Sequence, residues 1–320
     1  MSHYDVFNGD ADGICALQQL RLARPCESVL VTGPKRDIAL LQRVPAQLGD
    51  SVTVLDVSLH RNRDALQVLL ARGVAIEYFD HHFAGDIPLH PLLHAVLDPA
   101  PGACTSVLVD RHLQGRFRAW AAAGAFGDNL PAAGTELAEQ AGLAGQDIER
   151  LRRLGQAINY NAYGEPEDLL VHPAALALKL RPFADPLEFL AREPLAGQLI
   201  ERQAADEARA LAIAPSHVLS GAAVYILPDV DWARRVQGSF ANLLSLRAPD
   251  RAHAVLRASG RAAYNASVRA PHRSPHGADR LCLSFATGGG RAGAGGIDQL
   301  PSAQLGRFLA ELDKAFPAPR

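Results

Sequence analysis

What the sequence has little of narrows its reading first. Its four cysteines, Cys15, Cys26, Cys104 and Cys282, are scattered with no C-x-x-C pair. Neither a zinc knuckle nor a disulfide framework is indicated, and a reducing cytosol is the expected setting. No apolar run approaches membrane-spanning length, and the opening MSHYDVFNGDADG carries acids where a secretory signal needs a basic and then an apolar stretch. The expectation is a cytoplasmic protein with no membrane partner. Charge of one sign is also missing: Lys and Arg number 32 against 34 Asp and Glu, a net charge of -2. Such a chain has no global field for long duplex DNA, so an anionic substrate must be held locally.

What is present is an alternation. At 320 residues the chain can hold two compact domains. Short apolar segments, YDVF (4–7), SVLVTG (28–33), VTVLDV (52–57), VAIEYF (74–79) and HAVLD (94–98), read as strands. Between them GICALQQLRLA and NRDALQVLLARG read as helices, the second ending in a Gly suited to a helix C-cap. That order predicts an α/β fold with a doubly wound parallel sheet and helices on both faces. TSVLVDRHL, RFRAWAAAGAFG and DIERLRRLGQAI continue it as helices, giving a first domain over 1–185. A helical connector is expected over 186–215, as one long helix or a pair. A smaller mixed α/β domain follows over 216–320, with HVLSGAAVYILP, AHAVLRASG, AAYNASVRA and RLCLSFATGGG as strands and VQGSFANLLSL and SAQLGRFLAELDKAF as helices.

Ligands of parallel sheets bind where loops converge at the carboxyl ends of strands. There the sequence places NGDADG with Asp10 and Asp12, then Asp56, then Asp80-His81-His82. Asp128 follows the small-residue segment GAFG, which could approach the same rim. Crowded buried carboxylates repel one another and lose hydration unless cations sit among them, so the pattern points to a metal cluster. Oxygen donors with one or two imidazoles favour Mn²⁺ or Mg²⁺, and so many carboxylates suggest two ions. Two ions roughly 3.5–4 Å apart suit phosphoester hydrolysis. The plainer reading is that each Asp caps a turn or helix and the His pair is surface polarity.

NGDADG, VLDVS, FDHH and GAFGDN together resemble the four ordered motifs of the DHH phosphoesterase superfamily. In the second domain, SVRA and GGGRAGAGG are similar to segments of the DHH-associated C-terminal domain, in the arrangement of the nanoRNase and 3′-phosphoadenosine 5′-phosphate phosphatase branch. The resemblance implies metal ligation by Asp10, Asp12, Asp56, His81 and Asp128, with Asp56 as bridge between two Mn²⁺ ions, or Mg²⁺ in their place. It implies that Asp80 orients its neighbours and that His82 meets the scissile phosphate or protonates the leaving oxygen. Ser267, Arg269, Gly288, Gly289, Gly290 and Arg291 would then hold a distal substrate phosphate or carboxylate.

Two positions depart from the pattern. Asn8 stands where the first motif starts with His, either as a weak amide ligand or as a turn residue. Arg291 replaces the His after the triple glycine, either for a more anionic substrate or as an exposed loop arginine. The expected partner is a small nucleotide or short oligonucleotide, with a homodimer allowed for. INYNAYGEPED (158–168) reads as a polar loop. Two alternatives stay open. A RecJ-like single-strand exonuclease would need a basic, aromatic-lined track that a 6% aromatic content serves poorly. The other is a non-catalytic nucleotide-binding module that kept the fold.

Overall fold

A computed structural model describes residues 1–100, 102–260 and 262–318. The chain divides into two compact units, Met1–Glu201 and Arg202–Arg320. The first contains β1 (His3–Phe7), α1 (Ala11–Ala23), β2 (Val29–Val31), β3 (Ser51–Leu55), α2 (Arg63–Ala71), β4 (Ala75–Asp80) and β5 (Leu93–Leu97). It continues through α3 (Thr105–His112), α4 (Arg118–Gly127), α5 (Pro131–Gln140), α6 (Gln146–Asn161), α7 (Pro173–Leu180) and α8 (Pro186–Arg192). The next helix, α9 (Pro194–Leu211), crosses the division between the units.

The five strands form one parallel sheet in the order β2-β1-β3-β4-β5, as the alternating pattern predicts. Residue parity explains its two cores. Tyr4, Val6, Val52, Val54, Ile76 and Tyr78 face α2, while Phe7, Leu55 and Phe79 face the helices on the other side. With order 2-1-3-4-5, the chain reverses direction of winding at β1 and β3, where a crevice opens at the strands' carboxyl ends. α4 seals one side of it because its sequence is almost all small. A Cβ on Gly124 would lie 2.2 Å from Ser106 Oγ on α3, and one on Gly155 of α6 would lie 2.1 Å from the Ala123 carbonyl oxygen. These close crossings bring the end of α4, and with it Asp128, to the rim.

In the middle of β1, an interior strand, Asp5 is wholly buried beneath α1. Arg21 from the last turn of α1 grips it through Nε to Oδ2 at 3.0 Å and Nη2 to Oδ1 at 2.8 Å, and Ser28 Oγ donates at 2.6 Å. Burial alone would raise the Asp5 carboxyl, but His3, Arg21 and Ser28 outweigh it and hold the group below its ordinary range.

The second unit contains β6 (His217–Val218), β7 (Ala222–Leu227), α10 (Asp231–Arg247), β8 (Ala252–Ser259), β9 (Ala263–Arg269), α11 (Ala278–Leu283), β10 (Gly288–Arg291), β11 (Ala294–Pro301) and α12 (Leu305–Ala315). Its sheet runs β10-β11-β9-β8-β7-β6, with only β7 and β8 parallel. Ala222, Val224, Ala254 and Leu256 pack on one face with Leu281 of α11 and Phe308 and Leu312 of α12. Gln237 of α10 lies across the other face, donating to the carbonyls of Val255 and Asn265.

Two expectations need correction. RLCLSFATGGG is not one strand: residues 280–283 are helical and the strand starts only at Gly288. Leu281, Cys282 and Phe285 are buried at helical spacing, which outweighs their alternating look. INYNAYGEPED is not all loop either, since Ile158–Asn161 complete α6. Asn161 is consumed there, bonding the backbone of Leu170 and Val171. Among the described residues no helix is long and apolar enough to cross a membrane.

Two outcomes follow for stability. Gly155→Ala should lose about 1–3 kcal/mol in denaturant unfolding, because the added methyl has no room at the α4–α6 crossing. Asp5→Asn should lose about 3–5 kcal/mol at neutral pH, since the Arg21 charge is left buried without its counter-charge. A depressed carboxyl stabilises fully above its unfolded pKa and stops doing so as pH falls through its lower folded value. The gap between Asp5→Asn and wild type should therefore be complete at pH 5–7 and close only in strong acid, as read by chemical unfolding across that range.

Candidate metal centre

The acids and imidazoles of the site come from four chain segments. After β1 the chain turns through Asn8, whose Oδ1 accepts from the Asp10 amide at 3.2 Å and whose Nδ2 donates to the Lys35 carbonyl at 3.3 Å. Gly9 and Gly13 permit this fold-back: a Cβ on either would collide with backbone oxygen, of Gly33 at 2.1 Å and of Asn8 at 2.2 Å respectively. Asp10 N-caps α1, its Oδ1 accepting from the Gly13 amide at 3.1 Å. Asp12, in the first turn of α1, accepts both leading amides of α3, from Thr105 and Ser106, each at 2.7 Å.

Asp56 follows β3 at a φ of 57°, a left-handed conformation that few non-glycine residues adopt. Its amide donates to the Phe79 carbonyl at 3.0 Å, which ties the kink to β4 and keeps the carboxylate at the rim. β4 ends in buried Asp80, whose Oδ1 pairs with His82 Nδ1 at 2.6 Å. His81 turns the other way. Its Nε2 lies 3.3 Å from Asp56 Oδ1, 3.8 Å from Asp12 Oδ2 and 3.9 Å from Asp128 Oδ2. Asp128 arrives from the end of α4, held by its amide to the Gly124 carbonyl at 2.9 Å.

The rim thus gathers Asp10, Asp12, Asp56, Asp80, His81, His82 and Asp128. Two groups of donor atoms, Asp12-His81-Asp128 and Asp56-His81-His82, each lie within 4.8 Å of one another, close enough to hold a cation. The electrostatics point the same way. Burial pushes the Asp56 carboxyl well up, and Asp10, Asp12 and Asp128 push it further against the opposing charge of Lys35. Burial likewise pushes Asp128 up to about 6, with Lys35 and His81 opposing and Asp12 and Asp10 adding to the rise. Carboxylates raised in this way are short of positive charge, and their oxygen and imidazole donors fit a hard divalent ion. For His82, burial pulls the ring down, but the Asp80 hydrogen bond and the charges of Asp80, Asp10 and Asp12 raise it above its ordinary value.

Sequence reasoning missed Lys35. Its Nζ donates to Asp10 Oδ2 at 2.6 Å, lies 3.7 Å from Asp128 Oδ1 and stands 5.7 Å from the Tyr163 ring centre. The signal was available. β2 borders β1, so the loop after it, TGPKRD, reaches the same crevice. Thr105 opens α3; its amide serves Asp12 and its Oγ1 lies 3.4 Å from Asp56. A further acidic cluster, His3, Asp5 and Cys26, has the Arg21 guanidinium among its atoms and is an ion-pair network.

Ser267, Arg269, Gly288, Gly289, Gly290 and Arg291 form a group of their own in the second unit. GGGRAGAGG is a hairpin, pairing Gly289 with Gly296 and Arg291 with Ala294, while β11 pairs Gly296 with Ser267 and Ala294 with Arg269. Paired positions share a face, so Ser267, Arg269, Arg291, Gly289 and Gly296 lie on one side of the sheet. A Cβ on Gly289 would meet nothing within 4 Å, whereas one on Gly288 would strike the Cys282 carbonyl. The face is bare glycine ground beside two arginines. Arg269 is steadied by Nε donating to Asn242 Oδ1 at 2.7 Å, and Arg291 is exposed.

Solved structures share this architecture. The exonuclease RecJ bound to manganese superposes with a TM-score of 0.64 at 20% identity, over 99% of this chain and 91% of that one. The chain has the RecJ fold. RecJ in complex with Mn²⁺ from Thermus thermophilus gives a TM-score of 0.65 at 20% identity, covering 99% of this chain but 53% of its own, so this chain spans about half of that RecJ. The pGpG-specific phosphodiesterase PggH from Vibrio cholerae gives 0.60 at 14% identity, over 98% of this chain and 100% of its own. No family model and no curated protein matches the sequence.

The strained rim has a measurable cost. A raised carboxyl destabilises the folded state above its unfolded pKa, and a neutral amide of the same shape avoids that loss. Asn also tolerates the left-handed conformation of Asp56. Asp56→Asn should therefore gain about 1–2 kcal/mol over wild type in chelator-treated protein at pH 7. Differential scanning calorimetry reads this directly, and a variant melting below wild type would refute the account of the rim.

Proposed function

We propose that this chain is a divalent-metal-dependent phosphoesterase of the DHH type, acting on short oligonucleotides, dinucleotides or small phosphorylated nucleotides. The observation that carries the reading is the convergence of Asp12, Asp56, Asp128 and His81 Nε2 at the sheet's crevice, beside the buried Asp80 and its partner His82. The shared fold adds support, because its bearers named above are an exonuclease with manganese and a phosphodiesterase. Asp10, Asp12, Asp56, His81 and Asp128 would hold the metal, two ions being expected, Mn²⁺ or Mg²⁺ by donor type. When bound, such an ion supplies Lewis acidity to a phosphoryl oxygen and lowers the pKa of an attacking water.

The chain's own groups do the rest. Asp80 fixes His82 through Nδ1, which leaves Nε2 to face the substrate from a side chain that is 45% exposed. In its protonated form His82 would donate a proton from Nε2 to the leaving oxygen as the phosphorus–oxygen bond breaks. Asp80 holds the ring's orientation through Nδ1, so that the neutral ring left after the transfer carries its proton there. In the second unit, Arg291 and Arg269 beside bare Gly289 and Gly296 offer recognition of a terminal phosphate. A small substrate is favoured over a long strand by the net charge of -2 and by an aromatic content of 6%, which serves a base-stacking track poorly.

Purified protein with Mn²⁺ or Mg²⁺ should release mononucleotide or phosphate from a panel of dinucleotides, short oligonucleotides and phosphorylated nucleotides. His82→Ala should lower kcat by about 10²–10⁴-fold, and Arg291→Ala should raise KM more than it lowers kcat. Steeply salt-dependent binding of long single-stranded DNA would favour a processive exonuclease instead. Ligand binding without turnover anywhere in the panel would sink the enzymatic reading.

A further inference from the structure

Among the described residues, which include all 11 Phe, 6 Tyr and 2 Trp of the chain, Phe83 is the one ring of these types that stands exposed, at 71%. It follows His82 directly. We propose that Phe83, with the ring of His60 beside it, is the platform on which a nucleobase of the substrate stacks, so that the centre selects phosphoesters carrying a base next to the scissile bond. The inference rests on the phosphoesterase reading above and goes beyond it in naming what the site recognises besides phosphate.

Three observations carry it. First, the ring is turned outward where a core lies close by. The next residue, Ala84, packs on the core beneath α2, while the much larger apolar side chain of Phe83 stays in water and forgoes the gain of burial. Second, the ring is held. The His60 ring centre lies 5.5 Å from that of Phe83 at an interplanar angle of 58°, within the range in which such rings attract. Arg63 Nη2 donates to the Ala84 carbonyl at 3.2 Å. Gly85 has a φ of 63°, and a Cβ there would come within 2.9 Å of Arg63 Nη2 and 3.0 Å of His60 Nδ1, so the loop closes tightly on both side chains. An aromatic surface fixed before binding loses little freedom when a ligand covers it.

Third, the pair of rings is tied to the reacting end of the site. His60 comes from the turn after β3 and Phe83 from the turn after β4, so both stand at the carboxyl ends of strands, where the rim lies. Buried Asn62 pins the first turn: its Nδ2 donates to the carbonyls of Ile38 and Ser58, and its Oδ1 accepts from the Leu41 amide. The Leu59 amide donates to Asp80 Oδ2 at 3.4 Å, and Asp80 Oδ1 holds His82 Nδ1. One buried carboxylate therefore fixes both His82 and the turn that carries His60. Because Phe83 adjoins His82 in the chain, a nucleoside attached to the phosphate that His82 meets comes within reach of the ring. Stacking tolerates any base, since every base has a π-face, and one ring serves one base where a long strand needs a row of them. A single platform fits a substrate of one or a few nucleotides.

The test compares adenosine 5′-monophosphate with ribose 5-phosphate, which has the same sugar and phosphate but no base, by isothermal titration calorimetry on the full chain with Mn²⁺. Wild type should bind the nucleotide about 10–100-fold more tightly. Phe83→Ala should erase that ratio and leave the affinity for ribose 5-phosphate unchanged. Phe83→Trp should keep the ratio, and fluorescence of the introduced indole should be quenched as nucleotide is added. Phe83 is exposed, so both variants should melt with wild type, which calorimetry checks. Equal affinity of wild type for the two ligands, binding of neither, or a ratio that Phe83→Ala leaves intact would overturn the inference. The phosphoesterase reading would fail only if the substrate panel were also left uncleaved. A Phe83→Ala variant that keeps the ratio but loses self-association in sedimentation would assign the ring to a contact between copies of this chain, and would equally overturn its role as a base platform.

Discussion

Mutual repulsion among the buried carboxylates of Asp10, Asp12 and Asp56 and the half-buried one of Asp128 is the constraint around which the first unit is organised. Such groups are tolerable only if every oxygen has a donor or a cation. The fold answers one acid at a time. Asp10 caps α1 and meets Lys35, Asp12 receives two amides from α3, and Asp56 and Asp128 draw on side chains, His81 for both, Thr105 Oγ1 for Asp56 and Lys35 for Asp128. The unevenness is informative. The two acids with backbone donors are built into the scaffold, and the two without them are those whose carboxyls burial drives upward.

Local structure and chemistry are not rival explanations at this rim. An Asp after a strand is commonly a helix cap, and Asp10 is one. Capping uses a single oxygen and fixes the rotamer, so the second oxygen is aimed by the same bond that satisfies the helix. The same logic holds for Asp80, whose burial at the end of β4 is what makes its hold on His82 directional. Positioning groups of this kind turn a common sequence signal into a specific geometry.

Much of this was legible in the sequence. Short apolar runs gave all five strands of the first sheet, and the rule that loops converge at strand ends placed Asp10, Asp12, Asp56, Asp80, His81 and His82 on one rim. Asp128 could be placed because GAFG is small enough for α4 to pack closely. Lys35 was not read because a lone lysine in a short polar loop resembles any solvated charge. Only the sheet order, which sets β2 beside β1, reveals what that loop faces. In the second unit the alternation of Leu281, Leu283 and Phe285 imitated a strand. Helical burial of Leu281, Cys282 and Phe285 settled it, a matter of tertiary packing that no local window contains.

Asp12 links the rim to the backbone in a way that makes the site observable from outside it. The amides of Thr105 and Ser106 both end on its carboxylate, and these are the first two residues of α3. Any charge drawn toward Asp12 polarises those two N–H bonds and weakens or strengthens the start of the helix. Their amide resonances are therefore a native gauge of the electric field at the centre, one that needs no label and no substrate.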